Sequence, residues 1–339
     1  MANAAPLDRQ HGNNFDAIRM MAALTVLYSH HFALTSQAEP SFLGLYSWGG
    51  AAVIVFFVIS GYLVTSSWYN DPNVLRFCLR RFLRIWPALT VVVICTAYVL
   101  GAYVTTLPLH TYWTHGATAA YLRTLAMQVH FVLPGVFEEN PYARGVNGSL
   151  WTIPLEVRCY VVMALAGLLS VMRVRFMWLC FVALYAIWFL SKTSADVSGT
   201  VHYGSELSAF FLAGSALFLL QAHWERRPVA WILAASIGAA LTWSAGWHYT
   251  AVLIVLPLVL VYVGTRATPV LRRAGRWGDP SYGTYLIAFP VQQTVILFGW
   301  PHLGFFGTLA ISTGIVLVLA YASWHGIEKQ ALKFKPRKR

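Results

Sequence analysis

The sequence predicts an all-α bundle of about ten membrane-spanning helices with both chain ends in the cytoplasm. Three observations carry this reading. Hydrophobic residues make up 58% of the 339 and charged residues only 11%, too little polar surface for a soluble domain of this length. Apolar runs of roughly 17–25 residues, enough to cross a bilayer, recur along the chain. The positive charge is also sorted between those runs. With the N-terminus inside, 20 of the 24 Lys and Arg fall on the inner side, leaving Arg123, Arg144, Lys192 and, inside a span, Arg158. That bias sets orientation and requires an even number of spans. The net charge of +12 is then a property of inner loops and does not imply nucleic acid.

The expected spans run near 15–36, 48–69, 82–106, 149–171, 176–192, 206–222, 229–245, 248–265, 281–299 and 303–325. Pro257 interrupts the eighth and Pro290 the ninth, which membrane helices accept when neighbours satisfy the freed carbonyls. Residues 107–148 form a long extracytoplasmic connection. Its amphipathic middle suits a re-entrant or surface helix, and its end, rich in Asn, Gly and Pro, reads as loop. No soluble domain is expected, so 1–339 reads as one integral-membrane unit. Residues 326–339 read as a basic cytoplasmic tail facing anionic lipid. The first run has no cleavage site after it and reads as an uncleaved anchor. Cys78, Cys95, Cys159 and Cys180 form no CxxC pair and no metal-ligand spacing, and read as buried thiols without a metal or a disulfide.

Ionisable residues inside apolar runs are costly and mark function. In "NNFDAIRMMAALTVLYSHHFAL", residues 13–34, Arg19 and His30 lie eleven positions apart. That spacing is about three turns, or roughly 16 Å, on one helix face. It puts Arg19 at the cytoplasmic mouth and His30 about halfway across. Asp16 and Arg19 can pair at i, i+3. His31 points about 100° away and reads as structural. "RFCLRRFLRIWP", 76–87, places Arg81 and Arg84 at i, i+3, where their planar forks suit phosphate; ordinary inner-flank charge is the alternative. "NGSLWTIPLEVRCYVVM", 147–163, opens with Ser149 as a candidate cap and carries Glu156 and Arg158 within the run. Two positions apart, these do not face each other, so Glu156 needs a partner elsewhere, such as a histidine or a sugar hydroxyl. In "FFVISGYLVTSSW", 56–68, Ser60 and Gly61 read as close helix packing. In "GDPSYGTYLIAFPVQQT", 278–294, Ser281, Tyr282 and Tyr285 read as interfacial anchors.

In order, "FDAIRMMAALTVLYSH", "FFVISGYLVT", "RRFLRIWP", "NGSLWTIPLEVRCYVV" and "SYGTYLIAFPV" resemble the membrane acyltransferase-3 family, which O-acylates glycans and related hydroxyl acceptors. Each piece is weak alone; five in order across most of the chain are specific. The resemblance implies ten spans with both ends inside. It also implies an acyl-CoA donor, most often acetyl-CoA, and a carbohydrate or glycolipid acceptor. Arg81 and Arg84, with Arg19, would hold the donor phosphates. His30 would take the proton of the attacking hydroxyl, with an acyl-histidine as a variant, and Glu156 would orient the imidazole or the acceptor. Where many members carry a His, this chain has Ala288. The expected setting is a bacterial cytoplasmic (inner) membrane. Two rival readings are a transporter or flippase and a non-catalytic subunit of a polysaccharide assembly system. The residues do not name the acceptor, the acyl group or the oligomeric state.

Overall fold

The computed structural model describes residues 12–195 and 203–336. Arg9 and Arg337–Arg339, counted above among the inner charges, lie outside the described residues. The long helices are α1 (Phe15–Leu34), α2 (Trp48–Asn70), α3 (Val74–Ile94), α4 (Ile153–Leu168), α5 (Arg175–Ala195), α6 (Tyr203–Leu219), α7 (Pro228–Ser244), α8 (His248–Thr265) and α9 (Ser281–Ser323). A two-stranded hairpin, Ser41–Phe42 with Tyr46–Ser47, is the sheet among the described residues. α9 contains Gly304 at φ +58° and ψ −166°, so two helices meet there at a kink. All ten expected segments therefore lie on helix. Six helical stretches among the described residues are long and apolar enough to cross a membrane: Trp48–Asn70, Val74–Val104, Gly148–Leu168, Arg175–Thr193, His248–Thr265 and Ser281–Leu332. Two shorter apolar helices, Gly204–Leu219 and Pro228–Ser244, accompany them. Leu168, Phe176, Leu184, Ile237 and Val318 present bare apolar side chains on the perimeter, as an integral membrane protein requires of a lipid-facing wall.

Capping and close approach fix the core. The Ser47 hydroxyl accepts from Gly50 N at the start of α2, and the Asn73 side chain accepts from Arg76 N at the start of α3. Gly61 of α2 faces α6 so closely that a Cβ would stand 1.8 Å from the Phe211 carbonyl oxygen; at Gly214 it would stand 2.1 Å from that of Val58. Thr65 bonds Ser215 across the same seam at 2.7 Å, and Trp178 of α5 bonds that serine at 2.8 Å. Asn14, fully buried, anchors α1 to the end of α8, donating to the Val263 carbonyl at 2.9 Å and accepting from Thr268.

The 107–148 connection is more deeply built in than a surface loop. Short helices at Leu109–Thr114 and Gly116–Tyr121 lie back along α3 and its π-helical continuation Cys95–Leu100. Tyr112 donates to the Ala97 carbonyl at 2.5 Å and Trp86 to that of Leu125 at 3.1 Å. The later part threads beside α9. Gln293 donates to the carbonyls of Tyr142 and Gly145 and accepts from Asn140, while Asn147 donates to the Leu286 carbonyl. Irregular backbone inside a membrane bundle needs this satisfaction from side chains. The thiols divide differently from expectation: Cys159 is buried and Cys180 half-buried, but Cys78 and Cys95 are exposed, because they lie on the outward face of the α3 rod.

Candidate active site

A cavity of about 760 Å³ opens among α1, α2, α3, α4, the start of α9 and the C-terminal segment, a size that holds a drug- or cofactor-sized ligand. Its wide end is basic. Arg19, Arg81, Arg84, Arg276, Lys329, Lys333 and Lys335 line it against Asp16, Glu156 and Asp279. Seven cations face three carboxylates. Thr152, Ile153 and Tyr285 also line the cavity.

The arginines of the wide end are not equivalent. Asp279, in the turn before α9, accepts from Arg84 at 2.9 Å and from Arg19 at 3.1 Å. Arg19 also bonds Asp16 at 2.5 Å, and Arg84 reaches Glu328 at 3.3 Å. Burial pushes the Asp279 carboxyl up, but the two guanidiniums, with Ser281, hold it down at about 2. Arg81 forms no salt bridge among the described residues. Its Nε is buried without a hydrogen-bond partner, and its guanidinium stands over the rings of Tyr160 (5.7 Å) and Phe77 (6.0 Å). Nearby Arg76 and Arg80 are engaged by Asp71 at 2.6 and 2.7 Å. Lys335 of the tail reaches the same mouth. Burial first, then the neighbouring arginines 81, 84, 80 and 19, push its ammonium down to about 8.

Glu156 lines the cavity one turn into α4. It accepts from Ser60 at 3.2 Å and from the Tyr160 hydroxyl. The structure does not bring it to His30, and its partners are hydroxyls of its own cavity. Ser60 thus joins the site, where the sequence reads only packing. Tyr282 and Tyr285 likewise correct the anchor reading. Tyr282 lies under Arg84 at 5.4 Å and donates to the Ile85 carbonyl. Tyr285 is buried and bonds both Thr152, at 2.7 Å, and the Ser149 carbonyl, at 2.8 Å. Both face inward.

His30 is not among the residues that line the cavity. It sits four residues before the end of α1, nearer the far end than the halfway point its sequence position suggests. Its Nδ1 is 3.5 Å from Ser149 Oγ, and its ring meets Phe289 edge-on at 5.6 Å. Ser149 does not cap α4; its own N–H is capped by Asn147. His31 is fully buried and fully engaged, with Nε2 near the Phe305 carbonyl (3.0 Å) and Thr308 (3.1 Å) and Nδ1 near Gln292 (3.1 Å). Ala288 packs against Leu27 and Val316, a dry seam between α1 and the two halves of α9. No cluster of His, Cys, Asp or Glu among the described residues could hold a metal.

Sequence reading misses Asp279, Gln293 and Lys335. A carboxylate in a turn, an amide in an apolar helix and a lysine in a tail each have a bland local explanation, and their partners are remote in sequence.

A family profile described as an acyltransferase domain matches residues 13–325. The chain is similar to an O-acetyl transferase of Shigella phage Sf6, 32% identical over 329 residues that make up 94% of this chain and 96% of the phage protein. It is also similar to Nodulation protein 10 of Rhizobium leguminosarum bv. viciae, 27% identical over 363 residues that make up 96% of this chain and 94% of that protein. No solved structure matches significantly. With nearly the whole chain matched to one domain and to a relative above 30% identity, this integral membrane protein is an acyltransferase and belongs to the membrane acyltransferase-3 family.

Proposed function

We propose that the protein moves an acyl group, acetyl in the first instance, from acyl-CoA entering at the basic end to a hydroxyl of an exported carbohydrate or glycolipid. The observation that carries this is the charge of the cavity. An excess of four cations lines a space of about 760 Å³, and the 3′-phosphate and diphosphate of coenzyme A together carry about four negative charges. Arg81, which forms no salt bridge among the described residues, is the first phosphate ligand in this reading, assisted by Lys335 and Arg276. Arg19 and Arg84 hold the mouth in shape through Asp279. The pantetheine arm would follow the cavity toward Thr152 and Tyr285, bringing the thioester to the level of Ser149 and His30. Neutral His30 then serves as the base that collects the proton released as the new ester forms.

The Lys/Arg bias supports placing the basic end in the cytosol of a bacterial cell, with ten crossings of the inner membrane. The acceptor then approaches from outside, past His30 and the 140–148 segment. The phage relative's O-acetyl transferase name supports acetyl as the group.

The test is turnover of radiolabelled acetyl-CoA by the purified protein in lipid nanodiscs, with a crude cell-envelope glycan pool, beside His30→Ala. Label entering glycan with wild type alone is the expected result. Absence of both acetyl-CoA binding and turnover in wild type overturns the donor assignment and returns the transporter reading.

A further inference from the structure

His30 and Ser149 together carry an inference about the path of the acyl group. It rests on the donor reading above. A neutral imidazole has one lone pair, and its direction decides which hydroxyl it can deprotonate. Ser149 is fully buried, and among the described residues its hydroxyl has one hydrogen-bond neighbour, His30 Nδ1, at 3.5 Å. If that hydroxyl did not donate to Nδ1, a buried donor would go unsatisfied, a substantial cost. His30 is only partly buried, which leaves room for an Nε2–H to be met by water. The favoured tautomer therefore carries its proton on Nε2 and aims its lone pair at Ser149. The long separation is of the kind that tightens when substrate binds.

Position points the same way. Thr152 and Tyr285 line the donor cavity, and the Tyr285 hydroxyl donates directly to the Ser149 carbonyl. Ser149 is thus one hydrogen bond from the cavity lining and has His30 as its other neighbour.

We propose that Ser149 is the nucleophile of a covalent acyl relay. Ser149 Oγ attacks the thioester carbonyl carbon, an Oγ–C bond forms, and the C–S bond breaks. The serine proton passes to His30 Nδ1 and on to the departing thiolate, releasing coenzyme A as the thiol. Acylated Ser149 no longer has a proton to donate, which frees the His30 lone pair for the acceptor hydroxyl. That oxygen attacks the ester carbonyl, the C–Oγ bond breaks, and His30 returns the proton to Ser149. The relay lets donor and acceptor be served in turn, so the two need never occupy the site together.

The experiment incubates the nanodisc protein with radiolabelled acetyl-CoA and no acceptor, then maps retained label by peptide mass spectrometry. The expected result is one acetyl group on the peptide bearing Ser149, stable to neutral hydroxylamine and discharged by alkaline hydroxylamine, as an oxygen ester is. Ser149→Ala should lose the label while still binding coenzyme A. Ser149→Cys should regain it as a thioester that hydroxylamine cleaves faster. Glycan acetylation with no label on Ser149, or label retained in Ser149→Ala, overturns the relay and leaves the donor reading standing. Failure of wild type to bind or cleave acetyl-CoA overturns both.

Discussion

Asp279 Oδ2 stands 2.9 Å from Arg84 Nη2, tying the turn before α9 to the middle of α3. The contact is an ion pair in a largely buried place, where removing one partner strands the other charge. The carboxyl sits at about 2, below the roughly 3.9 of an unfolded Asp. A depressed carboxylate contributes stability that is full above the unfolded value and lost as pH falls through the folded one. The contribution is about 2–3 kcal/mol. Asp279→Asn should lower the thermal midpoint in detergent at pH 7, and the gap to wild type should stay constant down to about pH 4, then narrow toward pH 2. A gap that is unchanged at pH 2 would show that the pair does not act through charge.

Arg81 and Arg84 should separate when tested. Arg84 is held by two carboxylates, whereas Arg81 forms no salt bridge among the described residues and carries a buried, unpartnered Nε. Arg81→Ala is expected to raise the KM for acetyl-CoA about tenfold or more with little change in melting temperature, since a charged hydrogen bond is worth about 1.5–3 kcal/mol. Arg84→Ala is expected to lower the melting temperature as well. Equal effects of the two on KM alone would remove the distinction.

Lys335 gives the donor step a pH signature. Its ammonium is pushed down to about 8, so it is charged at pH 7 and neutral by pH 9. Phosphate binds the charged form, so affinity for coenzyme A should fall as pH rises through about 8. Lys335→Ala should bind more weakly at pH 7 and lose that fall, as read by calorimetric titration. An identical pH profile in the variant would place Lys335 outside the phosphate contacts.

The helical class and the Asp16–Arg19 pair are legible in the sequence, because charge in an apolar run stands out against its cost and an i, i+3 pair is local. The roles of the arginines are not. Arg84 reads like Arg81 until its partners appear, and those lie 195 and 244 residues away. The docking of Asn140 and Asn147 on α9 is hidden for a related reason: Asn, Gly and Pro look like loop, and the partners Gln293 and Leu286 lie on a distant helix. Ser60 and Gly61 read correctly as close packing, yet Ser60 also bonds Glu156, a contact that helix periodicity cannot announce.

Gly61→Ala tests that packing. A methyl there would stand 1.8 Å from the Phe211 carbonyl oxygen, on rigid backbone that cannot swing aside. Separating α2 from α6 would also stretch the Thr65–Ser215 bond. The expected cost is about 3 kcal/mol, read as a lower melting temperature and poorer yield, with Gly238→Ala, where a Cβ meets open space, as the neutral control. Equal melting of the two variants would mean that the seam yields more easily than its geometry allows.

His30 and His31 are adjacent in sequence and should behave in opposite ways. His31 is enclosed by Gln292, Thr308 and the Phe305 carbonyl. His31→Ala leaves buried polar groups short of partners at about 1–3 kcal/mol each, so its first effect should be on stability, with activity falling in step with the folded fraction. His30 has one long contact to Ser149 and an edge-on ring at Phe289, little for the fold to lose. His30→Ala should therefore melt close to wild type while acyl transfer drops by about 10²–10⁴-fold, the scale of a lost general base. The discriminating measurement is turnover per folded molecule for both variants. A normal value for His30→Ala, with the loss confined to His31→Ala, would move the chemistry one residue along α1 and onto its other face.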